Sequence, residues 1–329
     1  PSSSGPARSS NSAGPDGRKN IEATLVDSLG NGFAPSNCYG LQNIARCIFE
    51  DTDMSGARAA LGRYDALLVA SHWNAQLLEE ATGRRARVIF EGIDTSLFCP
   101  APKSGRMDGE TFHVFSGAKV DFRKGHDLTL LAFKKFHETH ADAVLVTAWH
   151  SPWPQLSAGF KGRLTVALGI GADGMLDIDK WVHQNGLHPQ SVIDLGFVPN
   201  PLMPSVLREM DVALQPSRVE ACTSLPVKEA MACGVPVIAA FNTGMQDLLT
   251  DENSIVLRKQ ARVDDRNGTS TDGWRESDVD EIVAALEFAY ERREQARQIG
   301  MRSRAWLMEH GRTWQSHANE LKQWVLSVH

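Results

Sequence analysis

Two glutamates flank a predicted helix start in the stretch DVALQPSRVEACTSLPVKEAMACGVPV, residues 211–237. Glu220 falls in a polar loop, and Glu229 lies on the predicted helix nine positions later. That helix would begin with the backbone N–H groups of Thr223, Ser224 and Leu225. Unpaired donors at the positive end of a helix dipole favour an anion such as phosphate. Because carboxylates accept hydrogen bonds from paired hydroxyls, the pattern suits a sugar nucleotide. An ordinary strand-to-helix turn explains the spacing equally well.

Three cations form a second candidate cluster after a predicted strand over residues 112–115. The strand runs into Ser116 and Gly117, and a loop follows with three positive side chains: Lys119, Arg123 and Lys124. A helix is predicted to begin near His126 or Asp127. Cations at the carboxyl end of a strand suit a diphosphate, although surface lysines are common and any one of these three could simply be solvated.

The chain around Glu220 predicts a strand, a loop, a helix and a second strand. Residues 212–214 and 235–240 form the apolar runs of the two strands. Pro226 suits the first turn of the helix, and Gly234 suits the left-handed position that ends it. The inner face of the helix is assigned to Leu225, Met231 and Ala232. The loop then lies at the carboxyl end of a strand, where open α/β sheets bind ligands.

The first third of the chain also alternates strands with a helix. Strands are predicted over residues 21–26, 45–49, 64–69 and 86–90. A helix over residues 71–81 is capped by Ser71 and has an apolar face of Trp73, Leu77 and Leu78, while His72 is expected to be a surface residue beside the cap. Strands alternating with helices predict a parallel sheet.

The phrase EACTSLPVKEAMACGVPVI resembles the donor-binding signature of family-4 retaining glycosyltransferases, in a variant with eight rather than seven residues between the two glutamates. The phrase RKGHD, which contains Lys124, resembles the family's R-K-G segment. The resemblance implies an α/β GT-B fold, in which two Rossmann-like parallel-sheet domains face a cleft. It implies transfer of a hexose-type sugar from a UDP- or GDP-linked donor to a glycan, lipid-linked or small-molecule acceptor, with no metal or other cofactor.

The resemblance assigns a role to each matching residue. Glu220 and Lys124 are the catalytic candidates, with Glu220 at the donor sugar and Lys124 at the diphosphate. Glu229 holds the ribose hydroxyls, and the segment with Phe197 and Val198 passes under the nucleotide base. The remaining donor-binding candidates are Gly117, Lys119, Arg123, Thr223, Ser224, Leu225 and Gly244.

Four segments are expected along the chain. Residues 1–19 are rich in Ser, Gly and Pro and should be disordered, as a linker or a cloning remnant would be. Residues 20–104 form a shortened acceptor-side domain, and residues 105–277 form the nucleotide-sugar domain, with a surface insertion over 261–277. Residues 278–329 form helices over 278–298 and 302–325, and the resemblance implies that the last one braces the first domain. Because the chain begins with Pro, we expect it to be part of a longer protein.

Composition excludes several other classes of protein. A net charge of −6 and a pI near 6.0 argue against a nucleic-acid binder. No apolar run reaches the roughly 18 residues that a membrane span needs. Five cysteines without CxxC spacing indicate free thiols in a reducing cytoplasm. We therefore expect a cytoplasmic location, and peripheral association with the inner face of the membrane stays open.

Three other patterns compete with this interpretation. The segment 169–174 spells GxGxxG with Asp194 twenty residues beyond it, which would suit an NAD(P)-dependent oxidoreductase. Two observations argue against this class. The strand predicted before the segment, over residues 164–168, is only weakly indicated, and Asp194 falls inside a predicted strand rather than at its end. The triplet Asp51-Thr52-Asp53 carries two carboxylates that could hold a divalent ion, although such a triplet is short and common. A non-catalytic nucleotide-sugar-binding or scaffold domain would also keep the Glu220 and Lys124 loops.

Two local features have a functional and a structural interpretation. Gly30, Asn31 and Gly32 could stand in for a glycine-rich loop near the acceptor, or they could only form a turn, which is the favoured view. Trp149 and Trp153 are expected to pack in the interior rather than to contact a ligand.

Overall fold

The computed structural model describes residues 19–32, 35–172, 174–264 and 270–328. Disorder is expected for residues 1–19; residues 1–18 fall outside the described residues, as does Asp173 of the GxGxxG segment, whereas Lys19 begins a strand. Among the described helices, none combines the length and apolar character needed to cross a bilayer.

The first domain is built on a parallel sheet of four strands. In chain order its elements are β1 (Lys19–Asn20), β2 (Thr24–Leu29), β3 (Cys38–Tyr39), β4 (Gln42–Cys47), α1 (Ala57–Leu61), β5 (Ala66–Val69), α2 (His72–Thr82) and β6 (Arg87–Val88). The strand order is β2-β4-β5-β6, and β1 pairs with β3 separately. The sheet confirms the predicted alternation of strands and helices, with strand ends shifted by a few residues.

Helix α2 begins where the sequence predicts. The Ser71 side chain accepts a hydrogen bond from the Asn74 N–H, and Gly83 ends the helix in the left-handed conformation. Leu77 and Leu78 are buried, as predicted from the apolar face. Trp73 instead packs against the core of the second domain. Helix α2 therefore contributes to both domains at their junction.

The second domain contains a parallel sheet of six strands. Its elements are β7 (Phe112–Lys119), α3 (His126–His137), β8 (Ala143–His150), α4 (Ile178–Gln184), β9 (Val192–Asp194), α5 (Met203–Leu207), β10 (Val212–Gln215), α6 (Leu225–Ala232), β11 (Val237–Ala240) and β12 (Ile255–Leu257). The strand order is β12-β11-β10-β7-β8-β9. Strands β10 and β11 are buried throughout, because helices cover both faces of the sheet. Apolar clusters on the two faces contain Phe133 and Met231, respectively.

The chain ends with a small antiparallel hairpin and three helices. These are β13 (Gln260–Arg262), β14 (Arg275–Ser277), α7 (Val279–Glu291), α8 (Arg293–Glu309) and α9 (Trp314–Ser327). The predicted boundaries of two helices are wrong. Arg292 leaves helical geometry between α7 and α8, and Gly311 adopts a positive φ between α8 and α9.

Three local predictions are wrong for identifiable reasons. Ser116 and Gly117 lie within β7 rather than in a loop, because β7 pairs with β8 along its whole length. Leu225 is 40% exposed, and the buried face of α6 contains Val227 and Ala230 together with Met231 and Ala232. No strand forms over residues 164–168, so the GxGxxG segment lacks the strand that a dinucleotide loop follows.

Helix α9 lies against the first domain. Leu321, Trp324 and Val325 pack on Ile44, Leu68 and Ile89. The approach of this helix is set just before it begins, where the backbone of Ile93 exchanges hydrogen bonds with Arg312 and Trp314 at 3.0 and 3.3 Å. A Cβ atom added to Gly92 would lie 2.1 Å from the Thr313 carbonyl carbon. Glycine is therefore required where the chain crosses between domains.

We expect Gly92→Ala to lower the free energy of unfolding by about 1 to 3 kcal/mol, as overpacking against fixed backbone does. Urea denaturation measures the change. Gly169→Ala is the matched control, because a Cβ there meets no atom within 4 Å. Equal stability of the two variants would show that the backbone at residues 92 and 313 moves freely apart.

Candidate active site

A short turn after β7 presents the cations. Residues 122–124 form a single 3₁₀ turn, and the Asp121 carboxylate accepts a hydrogen bond from the Arg123 N–H at its start. Gly125 ends the turn with a φ of 74°. A Cβ atom on Gly125 would lie 2.3 Å from the Pro216 carbonyl oxygen, so the turn packs directly against the residue that follows β10. The polar loop after Pro216, residues 217–224, is called the Glu220 loop below.

Lys124 and Glu220 meet in a buried ion pair. The Lys124 Nζ lies 2.7 and 2.8 Å from the two carboxylate oxygens of Glu220, and the Ser217 hydroxyl donates a further hydrogen bond at 2.8 Å. Glu220 is only 5% exposed. Burial alone would raise the pKa of Glu220, but Lys124 and Arg123 lower it below its usual value, which keeps the carboxylate ionised. The residues predicted to contact the diphosphate and the donor sugar therefore lie side by side.

Arg123 extends this cluster across the cleft. Its guanidinium contacts Asp121 at 3.2 Å, Glu220 at 3.4 Å and Glu50 of the first domain at 3.0 Å. Lys119 lies farther out, 3.4 Å from Asp121, with its ammonium 5.4 Å from the centre of the Trp153 ring. Sequence analysis missed Asp121 and Glu50. Only Asp121 carried a local signal, as an acid two positions before a predicted cation.

The start of α6 carries two buried hydroxyls. Ser224 is the N-cap residue but makes no side-chain capping bond, and among the described residues neither its hydroxyl nor that of Thr223 has a hydrogen-bond partner. Buried polar atoms are normally paired, so these hydroxyls and the helix start form a polar surface suited to an anionic ligand. Glu229, one turn into the helix, accepts a hydrogen bond from the Asn200 amide at 3.1 Å, and burial raises its pKa.

Four other predicted donor-binding residues lie near this surface. Phe197 is 69% exposed, with its ring 5.4 Å from that of His150, and Val198 packs into the core. Gly244 lies under the Glu220 loop: its N–H donates to the Glu220 carbonyl at 3.0 Å, and a Cβ would meet the Cys222 carbonyl at 1.9 Å. Gly244 thus supports the loop through its backbone. Gly117 lies in β7 and accepts a hydrogen bond from Gln215.

A fully buried arginine holds the Glu220 loop in place. Arg218 makes two hydrogen bonds to Asp127 at 2.7 and 2.9 Å and one to Glu276 at 2.8 Å, and Arg163 contacts the same two acids. Arg218 also donates to the Phe122 carbonyl and lies 3.9 Å above the Phe122 ring. Burial alone would raise the pKa of Asp127, but the two arginines lower it. Sequence analysis missed this network, which joins residues far apart in the chain.

We expect Asp127→Asn to lower the free energy of unfolding by about 3 to 5 kcal/mol, because it leaves the Arg218 charge buried and poorly compensated. Asp280→Asn is the control, since that exposed carboxylate also pairs with a cation, Lys135, and its loss should leave stability unchanged. Urea denaturation of both variants measures the difference. Similar stabilities would mean that the buried network contributes no more than a surface pair.

His126, at the first position of α3, is buried in its neutral form. Its ring contacts Trp149 at 4.8 Å and Phe160 at 6.0 Å between centroids, and burial lowers its pKa from 6.5 to about 4. Below pH 6.5 the unfolded chain therefore binds a proton at this residue that the folded chain does not bind. The contribution of His126 to the free energy of unfolding is therefore lost as the pH falls from 6.5 towards 4.

We expect the burial of neutral His126 to lower the free energy of unfolding by about 3 kcal/mol between pH 6.5 and pH 4. His126→Phe keeps the aromatic packing and removes the titrating ring, so its stability should depend less steeply on pH than that of the wild type. Thermal unfolding at intervals between pH 7 and pH 4 measures the two slopes. Identical slopes would show that the His126 ring becomes protonated inside the fold.

The remaining candidates lie outside the ion pair of Lys124 and Glu220. Asp51 is hydrogen-bonded to Asn31, and among the described residues no three acidic, histidine or cysteine side chains are arranged to hold a metal. Asp194 ends β9, not its interior as predicted, and pairs with Thr147. Trp149 is buried as predicted, whereas Trp153 is 51% exposed and lies beside Lys119.

The five cysteines are free thiols.

Two further expectations bear on the contact between the domains. His72 has an exposed ring as expected, but its Nδ1 lies 2.7 Å from Asp247 of the second domain. Residues 270–277 were expected to belong to a surface insertion, yet Trp274 is buried and its indole N–H donates to the Glu50 carbonyl at 2.6 Å. This segment lies across the cleft.

Solved structures show which fold these two domains form. Sucrose-phosphate synthase from Thermosynechococcus elongatus matches with a TM-score of 0.69 and 19% identity over 88% of this chain and 68% of its own. HepE from Anabaena, solved with UDP and glucose, matches with a TM-score of 0.65 and 16% identity over 87% and 72% of the two chains. The pneumococcal O-GlcNAc transferase GtfA, solved with UDP and GlcNAc, matches with a TM-score of 0.60 and 12% identity over 89% and 53%.

The fold is therefore GT-B, as the sequence resemblance implied. Residues 112–266, which contain the cationic turn and the Glu220 loop, match the family model described as Glycosyl transferases group 1. No curated protein matches the sequence.

Proposed function

We propose that this protein is a retaining glycosyltransferase that moves a hexose-type sugar from a nucleoside-diphosphate donor to an acceptor. The observation that carries the proposal is the meeting of three features at the carboxyl edge of the second sheet: the Lys124 and Arg123 cations, the buried Glu220 carboxylate and the start of α6. The GT-B fold and the family match of residues 112–266 support it.

In the proposed reaction, the bond between the anomeric carbon and the diphosphate oxygen breaks, and the nucleoside diphosphate leaves with the electron pair. The acceptor hydroxyl oxygen forms the new bond to the anomeric carbon, and its proton passes to the departing diphosphate. Lys124, Arg123 and Lys119 stabilise the negative charge that develops on the diphosphate, together with the N–H groups at the start of α6. One well-placed donor of this kind is worth about 3 to 4 kcal/mol.

Donor recognition is divided among three parts of the site. Glu220 accepts hydrogen bonds from the sugar, and Glu229 accepts them from the ribose. Asn200 already holds the Glu229 side chain in position. The backbone near Phe197 and Val198 contacts the base, whose identity the side chains do not specify. We propose UDP or GDP as the nucleotide and no metal requirement, because the three cations supply positive charge at the diphosphate.

A non-catalytic sugar-nucleotide-binding domain is the second candidate. The small size of the first domain favours this candidate, because its main sheet has four strands and that of the second domain has six. Calorimetric titration with UDP- and GDP-linked sugars, followed by an assay of donor turnover, separates the two. Donor that binds but is never transferred or hydrolysed identifies the binding domain.

We expect Lys124→Ala and Glu229→Gln each to weaken nucleotide binding by about 1 to 3 kcal/mol, the usual effect of removing a charged hydrogen bond. Calorimetry on the folded variants measures the change, and thermal unfolding checks that Lys124→Ala, which removes a partner of Glu220, remains folded. Lys161→Ala is the control, because Lys161 is an exposed cation of the same domain. Unchanged affinity in both site variants would remove the proposed donor site.

A further inference from the structure

A cavity of about 510 Å³ lies between the domains, beside the Arg123 and Glu220 cluster. The first domain contributes the turn at Asn31 and the residues Glu50 and Asp51, and the second contributes Asp121, Arg123 and Trp274. The volume falls in the range of small-molecule sites. Arg123 lines the cavity and contacts Glu220, so a molecule bound there would lie next to the proposed donor sugar.

Carboxylates surround the Arg123 guanidinium on the side of the cavity. Its guanidinium contacts the carboxylates of Asp121, Glu220 and Glu50. Asp51 adds a further carboxylate to the wall of the cavity. Among the described lining residues the three carboxylates of Glu50, Asp51 and Asp121 outnumber the Arg123 cation, so a phosphate group placed here would meet net negative charge. Like charges brought close together are unfavourable.

Asn31 fixes the Asp51 carboxylate and the Glu50 backbone. Its amide nitrogen donates to the Asp51 side chain at 2.8 Å, and its amide oxygen accepts from the Glu50 N–H at 2.7 Å. Burial, and then the neighbouring acids, raise the pKa of Asp51. The Asp51 carboxylate is thus held by Asn31, and the Glu50 carboxylate is held by Arg123 at 3.0 Å, before any ligand binds. Carboxylate oxygens in such positions are acceptors for hydroxyl donors.

Apolar and aromatic side chains also line the cavity. Leu29, Ile48 and Leu156 line the cavity together with Trp274. The Trp274 indole donates to the Glu50 carbonyl, and the Thr52 N–H donates to the Asp272 carbonyl at 3.2 Å. These bonds hold the segment before β14 against the first domain. Apolar and aromatic walls with a few fixed acceptors match the surface of a sugar, which has C–H faces and a rim of hydroxyls.

We infer that this cavity is the acceptor subsite and that it selects an uncharged sugar over a phosphorylated or lipid-phosphate acceptor, with Glu50 and Asp51 as the specificity-determining residues. The inference rests on the proposed function, because it names the acceptor class of that same site. In the group transfer described above, the attacking hydroxyl belongs to this neutral sugar.

The test uses the full chain and matched probe pairs. Calorimetry first identifies whether UDP or GDP binds. Saturation-transfer NMR in the presence of that nucleotide then measures binding of neutral sugars and of their phosphate esters, for example glucose against glucose 6-phosphate and N-acetylglucosamine against its 1-phosphate. We expect at least one neutral sugar to bind about tenfold more tightly than its ester. Equal or tighter binding of every ester, or no binding by any probe, overturns the inference.

Charge-neutral variants test the two residues. Asp51→Asn can keep its hydrogen bond from Asn31, and Glu50→Gln can keep one from Arg123, so both should fold. The double variant should lower the preference for neutral sugars to about one third of the wild-type ratio or less. Glu79→Gln is the control, because that exposed acid of the first domain does not line the cavity. An unchanged ratio in the double variant overturns the role of Glu50 and Asp51.

The outcomes separate the two proposals. Failure of UDP and GDP to bind would contradict the donor site itself. Binding and turnover of donor, together with a preference for phosphorylated acceptors, would leave the glycosyltransferase function standing and overturn only the acceptor class.

Discussion

The buried pairing of Arg218 with Asp127 is the interaction on which the site depends. It connects three segments that are distant in the sequence: the Glu220 loop, the start of α3 and the β14 strand with Glu276. Removing both charges from water is costly, and the geometry compensates through paired hydrogen bonds, a second arginine and the Phe122 carbonyl. As a result, the loop that carries Glu220 has a fixed conformation, which is what electrostatic stabilisation of a transition state requires.

The arrangement of charges also depends on the first domain, although the family match begins only at residue 112. Glu50 contacts Arg123, and the Ser71 hydroxyl donates to the Ala221 carbonyl at 2.6 Å inside the Glu220 loop. Ser71 therefore caps α2 and positions the loop at the same time. A change in the relative position of the two domains would alter the surroundings of both Arg123 and Glu220.

Features determined by neighbouring residues could be predicted from the sequence. The strand, loop, helix and strand around Glu220 follow from local apolar runs and from Pro226 and Gly234, and the Ser71 cap follows from the residues beside it. The closeness of the cationic turn to the Glu220 loop follows from the parallel order of β7 and β10. The long-range hydrogen-bond partners could not be predicted. The Arg218 network and the contact of Trp274 with Glu50 join residues that are far apart in the chain, and their separation carries no periodic signal.

The hydrogen bond from Trp274 to the Glu50 carbonyl has a consequence for motion. Residues on both sides of the cleft are joined at the mouth of the cavity, by this bond and by that of Thr52 with Asp272. Rotation of one domain away from the other must break these bonds or carry the hairpin along with the first domain. A molecule that binds in the cavity and contacts both Trp274 and Asp51 would strengthen the same closure. Binding of such a molecule and separation of the two domains would therefore be thermodynamically linked, and each would change the equilibrium of the other.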